Sequence, residues 1–428
     1  MATVRALLAS EAEVLAWDDD PARSKVLREE FSEDDGLFID DFTDWDFASV
    51  EIDSLVVSPG VPLNTHPLVA RAREAGVEII GDIELFARAR PELPPHKVVG
   101  ITGTNGKSTT TALVHHILKT AGVPTTMGGN IGLPILAQDP LPQGGVYVLE
   151  LSSYQIDLTQ SLDCDVAVLL NITPDHLDRY ESFEAYAASK ARLFEMQTLV
   201  SHAVIVDTGE AAQGLYEELR RPRGGMVYLP QGGMYAAPEY GPYLGDRFIQ
   251  AEWPALQGLH NADNAAAAIA VASALGLTDD QIEPSLASFG GLPHRMERVR
   301  EIDGVLFVND SKATNPEAAA PALAAYPRVR WILGGQAKTD DLGDSATHLD
   351  HVVHAYTIGE AGPMFARLLR ERGLPVTEAE RLENAVKRAA ADSQAGEVVL
   401  LSPACASFDQ FRDFEARGDA FKRLVGDL

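Results

Sequence analysis

The stretch GITGTNGKSTTT, residues 100–111, decides the fold, because an apolar strand runs directly into a glycine turn and then into a helix. Glycines let the backbone wrap closely around phosphates, and the start of a helix supplies N–H donors and partial positive charge. Lys107 adds a full positive charge, and Ser108 or Thr109 can offer a hydroxyl to Mg²⁺. The spacing GxxGK(S/T) is shorter than the Walker pattern, because Ile101 stands where that pattern has its first glycine. We interpret residues 100–111 as a nucleotide phosphate loop.

Strand-like apolar runs alternate with amphipathic helical segments along the rest of the chain, a pattern typical of parallel βαβ units. Prolines in PELPPHK (91–97) and the break at GGLPHR (290–295) divide this pattern. We therefore predict an α/β protein of three domains, which comprise residues 1–94, 95–291 and 292–428. Residues 223–255, which are rich in Gly, Tyr and Pro, are predicted to form short antiparallel strands.

Composition and charge exclude several classes of protein. The 428 residues include 35 Lys and Arg against 63 Asp and Glu, a formal net charge of −28, whereas non-specific nucleic-acid binding needs a basic surface. Two cysteines, Cys164 and Cys405, are too few for a disulfide framework or a CxxC metal site. The N-terminal sequence has no apolar signal core, and the apolar run at the opening motif is far shorter than the ~18 residues of a membrane span. We expect a cytoplasmic monomer with no nucleic-acid partner and no membrane attachment.

Polar residues follow two further strand-like runs, at the sheet edge where open α/β folds bind ligands. Glu150 ends the run YVLE, and beside a phosphate loop it is predicted to be a Mg²⁺ ligand rather than a structural partner. His176, flanked by Asp175 and Asp178 in NITPDHLDRY, is either a metal or phosphate contact or a histidine that caps its loop. Lys190 in YAASKARLF lies on a predicted helix, and composition alone places it on a solvated face.

Three strand ends in the last third of the chain carry similar polar loops. They are VNDSKATNP (308–316), LGGQAKTDDL (333–342) and LLSPACASFDQF (400–411). Asp310 could hold a ribose hydroxyl and Lys312 an anion, while Lys338 follows two glycines and the last helix is predicted to open near Ser407. These loops either converge on one pocket or are ordinary connections.

Seven motifs taken in order resemble the Mur ligase family. They are GTNGKST (103–109), GGNIG (128–132), LELSSYQ (149–155), NITPDHLDRY (171–180), GLPHR (291–295), NDSKATNP (309–316) and LSPACASFDQF (401–411). GDIELF (81–86) and LSPACASFDQF narrow the resemblance to the members that add D-glutamate to UDP-N-acetylmuramoyl-L-alanine. The similarity covers roughly residues 54–428.

The resemblance implies a fold and a reaction. The implied fold has an N-terminal Rossmann-like UDP-binding domain, a central P-loop ATPase with a mostly parallel sheet, and a C-terminal Rossmann-like domain that receives the amino acid. The implied reaction uses ATP and Mg²⁺ to form an amide bond in peptidoglycan precursor synthesis. The substrate carboxylate attacks the γ-phosphate to give an acyl phosphate, which the amine of D-glutamate then attacks.

The resemblance also implies residue roles. One Mg²⁺ is held by Ser108 and Glu150 and a second by His176 and Lys190, with Lys190 carbamylated by CO₂. The implied catalytic residues are Lys107, Glu150, His176 and Lys190. The implied ATP contacts are Gly103, Thr104, Asn105, Gly106, Lys107, Ser108, Thr109, Asn261, Asn264, Arg295 and Asp310. The implied contacts of the uridine substrate are Ser58, Gly60, Asn130 and His176, and those of D-glutamate are Lys312, Thr314, Lys338, Ser407, Phe408 and Phe414.

The start of the chain departs from the family pattern. That pattern opens with a strand and a glycine-rich turn before the first helix, whereas here Met1 lies almost on that helix and no glycine precedes Gly36. Such a turn normally positions phosphates. We therefore expect this polypeptide to bind ATP normally and the uridine substrate weakly, with its first ~90 residues the least stable part.

Three other interpretations compete with this one. A sister ligase, such as another Mur ligase or a folylpolyglutamate synthetase, would keep the central domain and change SPACASFDQF. A P-loop switch would need neither NDSKATNP nor SPACASFDQF. An inactive nucleotide-binding scaffold would not need Lys107, Glu150, His176 and Lys190 together.

Overall fold

The computed structural model describes residues 1–18, 20–31, 36–176, 179–207, 209–219, 225–230 and 250–428, with residues 207 and 226–230 described by their backbone only. The chain divides into two compact units. The first contains the described residues up to 230 together with 267–281, and the second contains 250–266 and 282–428.

Strands and helices alternate along the described residues. The strands are Val14–Ala16 (β1), Leu37–Ile39 (β2), Ser54–Val56 (β3), Glu78–Ile80 (β4), His96–Thr102 (β5), Thr125–Gly129 (β6), Gly145–Glu150 (β7), Val166–Leu169 (β8), His202–Asp207 (β9), Met226–Pro230 (β10), Glu297–Ile302 (β11), Val305–Asn309 (β12), Val329–Gly334 (β13), Val352–Ile358 (β14), Val376–Glu380 (β15) and Val398–Leu401 (β16). The helices are Ala2–Ala9 (α1), Pro21–Glu30 (α2), Pro67–Glu74 (α3), Asp82–Ala89 (α4), Lys107–Thr120 (α5), Ser153–Asp157 (α6), Phe183–Glu195 (α7), Glu210–Leu219 (α8), Leu259–Ala274 (α9), Asp279–Ser288 (α10), Pro316–Ala324 (α11), Gly362–Glu371 (α12), Leu382–Asp392 (α13) and Phe414–Gly426 (α14).

A parallel sheet with the strand order β10-β9-β8-β5-β7-β6 forms the centre of the first unit. Val98, Val99 and Ile101 of β5 are fully buried, as expected of a strand that is covered on both faces. Because β7 and β8 flank β5, the loops that follow Glu150 and Leu169 lie on either side of the glycine turn between β5 and α5. The sheet therefore brings the predicted phosphate loop, Glu150 and the NITPDHLDRY motif to one edge.

The N-terminal strands form two separate parallel pairs, β1 with β2 and β3 with β4. The predicted Rossmann-like domain would have one continuous sheet, and among the described residues no strand joins the two pairs. Each strand is only three residues long, and each pair has a small core of its own.

The sheet of the second unit has the order β11-β12-β16-β13-β14-β15 and is parallel except for β11, which pairs antiparallel with β12 at the edge. Buried apolar side chains cover both of its faces. The carboxyl ends of β12, β16 and β13 are neighbours, so the three polar loops predicted from the sequence leave one edge of one sheet. The predicted α/β class with mostly parallel sheets is confirmed.

Two expectations need correction. Met226–Pro230 pairs parallel with β9 rather than antiparallel, because α8 provides the crossover that makes β9, α8 and β10 a βαβ unit; residues 231–249 of the segment lie outside the described residues. The last helix begins at Phe414 rather than near Ser407, because the Asp413 carboxylate accepts a hydrogen bond from the Ala416 N–H and caps the helix there.

Both cysteines are buried. Within the described part of the chain, every helix is too short or too polar to cross a membrane.

Candidate active site

The Lys107 side chain folds back onto the phosphate loop and binds its backbone. Gly103 and Gly106 have φ values of 152° and 83°, which a residue with a Cβ rarely adopts. Lys107 Nζ donates to the carbonyl oxygens of Gly103 at 2.9 Å and Thr104 at 2.7 Å. Gly106, which has no side chain, stands at the N-cap of α5, so Lys107, Ser108 and Thr109 form its first turn. Ser108 is buried and Thr109 half-buried.

Asn171, at the start of NITPDHLDRY, braces this loop. Its Oδ1 accepts hydrogen bonds from the N–H groups of Thr104 at 3.0 Å and Asn105 at 2.8 Å, and its Nδ2 donates to the Asn105 carbonyl at 3.0 Å. The Asn171 carbonyl also accepts from the Thr104 N–H at 2.9 Å. The predicted ATP contacts Thr104 and Asn105 are therefore engaged by a residue that the sequence analysis did not single out.

Lys190 lies in the same site as Lys107. Its side chain is 1% exposed, and its Nζ donates to the Gly103 carbonyl at 2.9 Å and lies 4.7 Å from the centre of the Tyr186 ring. Burial, and next the charge of Lys107, lower the pKa of Lys190 to about 7. The solvated helix face suggested by composition is wrong, because α7 turns this lysine toward the sheet.

Glu150 is buried at the end of β7. Its Oε1 accepts from Asn130 Nδ2 at 3.1 Å, whereas its buried Oε2 has no hydrogen-bond partner among the described residues. A buried carboxylate oxygen without a donor is costly, and Mg²⁺ binding would compensate it. The described residues hold no cluster of three or more His, Cys, Asp and Glu suited to a metal. A Mg²⁺ bound to nucleotide phosphates needs only one or two protein carboxylates, so Glu150 and Ser108 fit this ion.

His176 is exposed and lies beside two tyrosines. The centre of its ring is 4.9 Å from that of Tyr154 and 6.3 Å from that of Tyr186, and its Nε2 is 3.5 Å from Asp175 Oδ2. Tyr186 thus contacts both His176 and Lys190, and its hydroxyl lies 3.1 Å from Thr104 Oγ1. Asp178 lies outside the described residues.

The predicted uridine contacts are partly joined to this site. Ser58 and Gly60 are exposed in the turn after β3, and the Gly60 carbonyl accepts from Arg179 Nη1 at 3.1 Å. Asn130 is bound to Glu150 through both its side chain and its N–H, which donates to the Glu150 carbonyl at 2.8 Å.

Arg417 joins two of the three polar loops of the second unit, those that contain Lys312 and Ser407. Its guanidinium donates to Ser311 Oγ at 3.0 Å, the Ser311 carbonyl at 2.8 Å, the Cys405 carbonyl at 3.0 Å and the Ala406 carbonyl at 3.3 Å. Gln336 and Ala406 exchange backbone hydrogen bonds at 2.9 and 3.0 Å, which ties the loop of Lys338 to that of Ser407. The loops therefore converge.

The predicted D-glutamate contacts lie on these three loops and at the start of α14, and their exposures differ. Lys312 Nζ lies 4.1 Å from the centre of the Phe414 ring, so these two are brought together. Ser407 is buried, Thr314 half-buried and Lys338 exposed, and Phe408 is 69% exposed.

The Arg417→Ala variant should lower the free energy of unfolding by about 3 kcal/mol, because three carbonyls and a hydroxyl lose a buried donor. Burial also lowers the pKa of Arg417 to about 10. The urea midpoint measures the effect, and Arg412→Ala is the control, because Arg412 is 83% exposed in its ion pair with Asp413. Equal midpoints for the two variants would contradict the bridging role.

The remaining predicted ATP contacts also lie in the second unit. Burial raises the pKa of Asp310 to about 7. Its Oδ2 accepts from Ser402 Oγ at 2.8 Å and its Oδ1 from the Met296 N–H at 3.2 Å, so both carboxylate oxygens are engaged. Arg295 is half-buried. Asn261 and Asn264 are buried on α9, where Asn264 Nδ2 donates to Asn261 Oδ1 at 3.1 Å.

Family models match the chain in two regions. The Mur ligase middle domain matches residues 101–272, and the Mur ligase, glutamate ligase domain matches residues 294–405. The first region contains the glycine turn and Lys107, and the second contains two of the polar loops of the second unit and the start of the third.

Curated relatives match almost the whole chain. The UDP-N-acetylmuramoylalanine--D-glutamate ligase of Novosphingobium aromaticivorans is 58% identical over 426 residues, which cover 99% of this chain and 91% of the relative. The enzyme of the same name from Zymomonas mobilis is 54% identical over 432 residues, which cover 99% of this chain and 94% of the relative.

Solved structures share the fold at low identity. The UDP-N-acetylmuramate-alanine ligase MurC of Thermotoga maritima has a TM-score of 0.60 at 19% identity, covering 100% of this chain and 96% of that one. The MurF ligase of Thermotoga maritima, solved with ADP, has a TM-score of 0.60 at 21% identity, covering 89% of this chain and 97% of that one. The fold, the matched domains and the full-length relatives agree, and the chain belongs to the Mur ligase family.

Proposed function

We propose that this protein is an ATP-dependent ligase that adds D-glutamate to UDP-N-acetylmuramoyl-L-alanine in peptidoglycan precursor synthesis. The observation that carries the proposal is 58% identity, over 99% of the chain, to a relative named for that reaction. Lys107 and Lys190 both donate to the Gly103 carbonyl of the phosphate loop, and the neighbouring strand ends in the buried Glu150. Two cations and a carboxylate at one sheet edge support phosphoryl-transfer chemistry.

The first step brings two anions together, the substrate carboxylate and the γ-phosphate of ATP. Lys107 would leave its two loop carbonyls to neutralise the transferring phosphoryl group, and the first turn of α5 would bind the remaining phosphate oxygens. Bound Mg²⁺ would supply further charge neutralisation, with Ser108 and Glu150 holding one ion and His176 and Lys190 a second. The acyl phosphate is then attacked by the amine of D-glutamate, and phosphate leaves.

Lys190 can bind a cation only after modification, since its ammonium group would repel the cation. Its neutral amine would attack the carbon of CO₂ and release a proton to solvent, which gives a carbamate whose single negative charge is shared by two oxygens. A pKa near 7 leaves a large fraction of the amine neutral at physiological pH, whereas an exposed lysine is almost fully protonated there. The burial of Lys190 therefore favours the modification.

The other substrate contacts follow the same assignment. Asn261, Asn264, Arg295 and Asp310 would complete the ATP site, while Ser58, Gly60, Asn130 and His176 would contact the uridine substrate. Lys312, Thr314, Lys338, Ser407, Phe408 and Phe414 would bind D-glutamate. We assign these roles to three domains, residues 1–94, 95–291 and 292–428. Because the proposed reaction consumes ATP, we expect the protein to work in the cytoplasm, as a monomer without nucleic acid or membrane.

Release of ADP tests the proposal. It should require both UDP-N-acetylmuramoyl-L-alanine and D-glutamate, and omission of either should stop it. ADP release without either substrate would instead support a P-loop switch. Turnover with meso-diaminopimelate or L-lysine in place of D-glutamate would indicate a sister ligase.

The Lys338→Ala variant should raise the KM for D-glutamate by about 10-fold or more and leave the KM for ATP nearly unchanged. An anionic amino acid needs a cation in a protein with a net charge of −28, and Lys338 is exposed on the polar loop that Gln336 ties to the Ser407 loop. Steady-state kinetics with each substrate varied measures this split. Lys387→Ala is the matched control, since Lys387 is also exposed in the second unit but pairs with Glu383 on α13. Equal increases in both KM values would contradict the assignment.

A further inference from the structure

The segment that follows β8 is hydrogen-bonded at each of its two ends to a different loop of the first unit. We call it the bridging loop and define it as the described residues 171–176 and 179–180. We propose that Asn171 and Arg179 are positioning residues, of which Asn171 sets the phosphate loop for ATP and Arg179 sets the 58–61 turn for the uridine substrate. The proposal rests on the proposed ligase function. Both side chains bond main-chain groups, so each would act through the backbone that it holds.

The Asn171 end is fixed by a reciprocal set of hydrogen bonds. Its carboxamide accepts from two N–H groups of the phosphate loop and donates to one carbonyl of the same loop. The backbones also approach closely, since a Cβ on Gly103 would lie 3.1 Å from Leu170 Cβ and 3.3 Å from the Asn171 N and O atoms. The loop therefore has its shape set before ATP arrives, and loss of the carboxamide would leave residues 104–105 to reorganise on binding.

The Arg179 end is fixed by three consecutive carbonyls. The guanidinium donates to Gly60 at 3.1 Å, Val61 at 2.9 Å and Pro59 at 3.4 Å. The planar guanidinium group has several donors that can bind three neighbouring carbonyl oxygens, whereas the ammonium group of a lysine cannot reach all three at once. A small pocket of about 30 Å³ lies beside Pro59 and Arg179.

One aromatic ring connects this end to the predicted catalytic histidine. The Arg179 guanidinium carbon lies 4.3 Å from the centre of the Tyr154 ring, and the His176 ring centre lies 4.9 Å from the same point. The bridging loop thus has the phosphate loop at one end, the 58–61 turn at the other, and His176 between them. Each end is expected to affect a different substrate.

The test measures KM for each substrate in Asn171→Ala and Arg179→Ala. Asn171→Ala should raise the KM for ATP about 10-fold and change that for the uridine substrate less than about twofold, because one net hydrogen bond corresponds to roughly a tenfold change in binding. Arg179→Ala should do the reverse, and Arg179→Lys should be intermediate. Each variant controls for the other, since general damage to the fold would raise both KM values.

Arg192→Ala is a third control, because Arg192 also donates to main-chain carbonyls of this unit, Asp157 at 3.3 Å and Thr159 at 2.9 Å, but contacts neither loop. Its KM values should match the wild type. Calorimetric titration with ADP alone adds a readout that does not need ligase turnover, and Asn171→Ala should weaken ADP binding about 10-fold. If the wild-type protein binds ADP but forms no product, the proposed function fails while this arm still decides the role of Asn171. Unchanged KM values, or parallel increases of both in both variants, would overturn the positioning roles.

Discussion

Replacing Lys107 by alanine is expected to lower ligase turnover by about 10²–10³-fold at saturating ATP, with the fold intact. A charge-assisted contact to a transferring phosphoryl group is worth a few kcal/mol in the transition state. Lys107 is well placed for this contact, because its Nζ already folds over the phosphate loop onto the Gly103 and Thr104 carbonyls. Rapid-quench or steady-state measurement of ADP release gives the rate.

The control for this variant is Lys119→Ala. Lys119 lies exposed in the last turn of α5, one helix length away from the loop, so its loss removes the same charge from the same helix. Its turnover should remain close to the wild-type value. Wild-type activity in Lys107→Ala at saturating ATP would mean that the phosphate-loop assignment is wrong.

The sequence predicts those parts of the site that depend on local order. A strand, a glycine turn and a helix follow one another over residues 100–111, so their geometry depends little on distant residues. Glu150 is predictable for a similar reason, since a residue that ends a parallel strand lies at the carboxyl edge of the sheet. The meeting of the three C-terminal loops follows from the same rule.

The residues that the sequence analysis missed form hydrogen bonds to main-chain groups and have no predicted contact with a substrate. Asn171, Arg179 and Arg417 each bond main-chain groups far away in the sequence, and such contacts exist only after the strands have been ordered. A polar side chain that binds backbone has no partner motif to search for. Asn171 and Arg179 stand within the quoted NITPDHLDRY motif, whose only candidate residue was His176.

The burial of Lys190 is the feature of the site that amino-acid composition predicts least well. A lysine in a helix is usually solvated, and only the packing of α7 against the phosphate loop reveals its burial. The N-terminal sheets and the parallel β10 differ from expectation for a related reason, because strand pairing is decided by neighbours that are distant in sequence.

Replacing Lys190 by alanine should lower turnover by about 10²–10³-fold, and short carboxylic acids should partly restore it. The loss follows because a metal ligand of the phosphoryl-transfer site contributes several kcal/mol. The rescue follows because the truncated side chain leaves space in a buried position, where an added carboxylate can supply the two oxygens of the missing carbamate. Rates with and without acetate or formate test both parts, with Arg192→Ala, which lies on the same helix, as the control that acids should not stimulate.

The wild-type protein offers an independent readout of the same modification. Carbamate formation needs the neutral amine, so it should rise as the pH increases through the lowered pKa of Lys190 near 7 and fall below it. Labelling with ¹³C bicarbonate should give a carbamate carbon resonance in the wild type that Lys190→Ala lacks, and depletion of CO₂ should slow only the wild type. Full activity in Lys190→Ala would reject the metal role. A large loss without rescue or a carbamate resonance would instead restrict Lys190 to its hydrogen bond with the Gly103 carbonyl, as a brace of the phosphate loop.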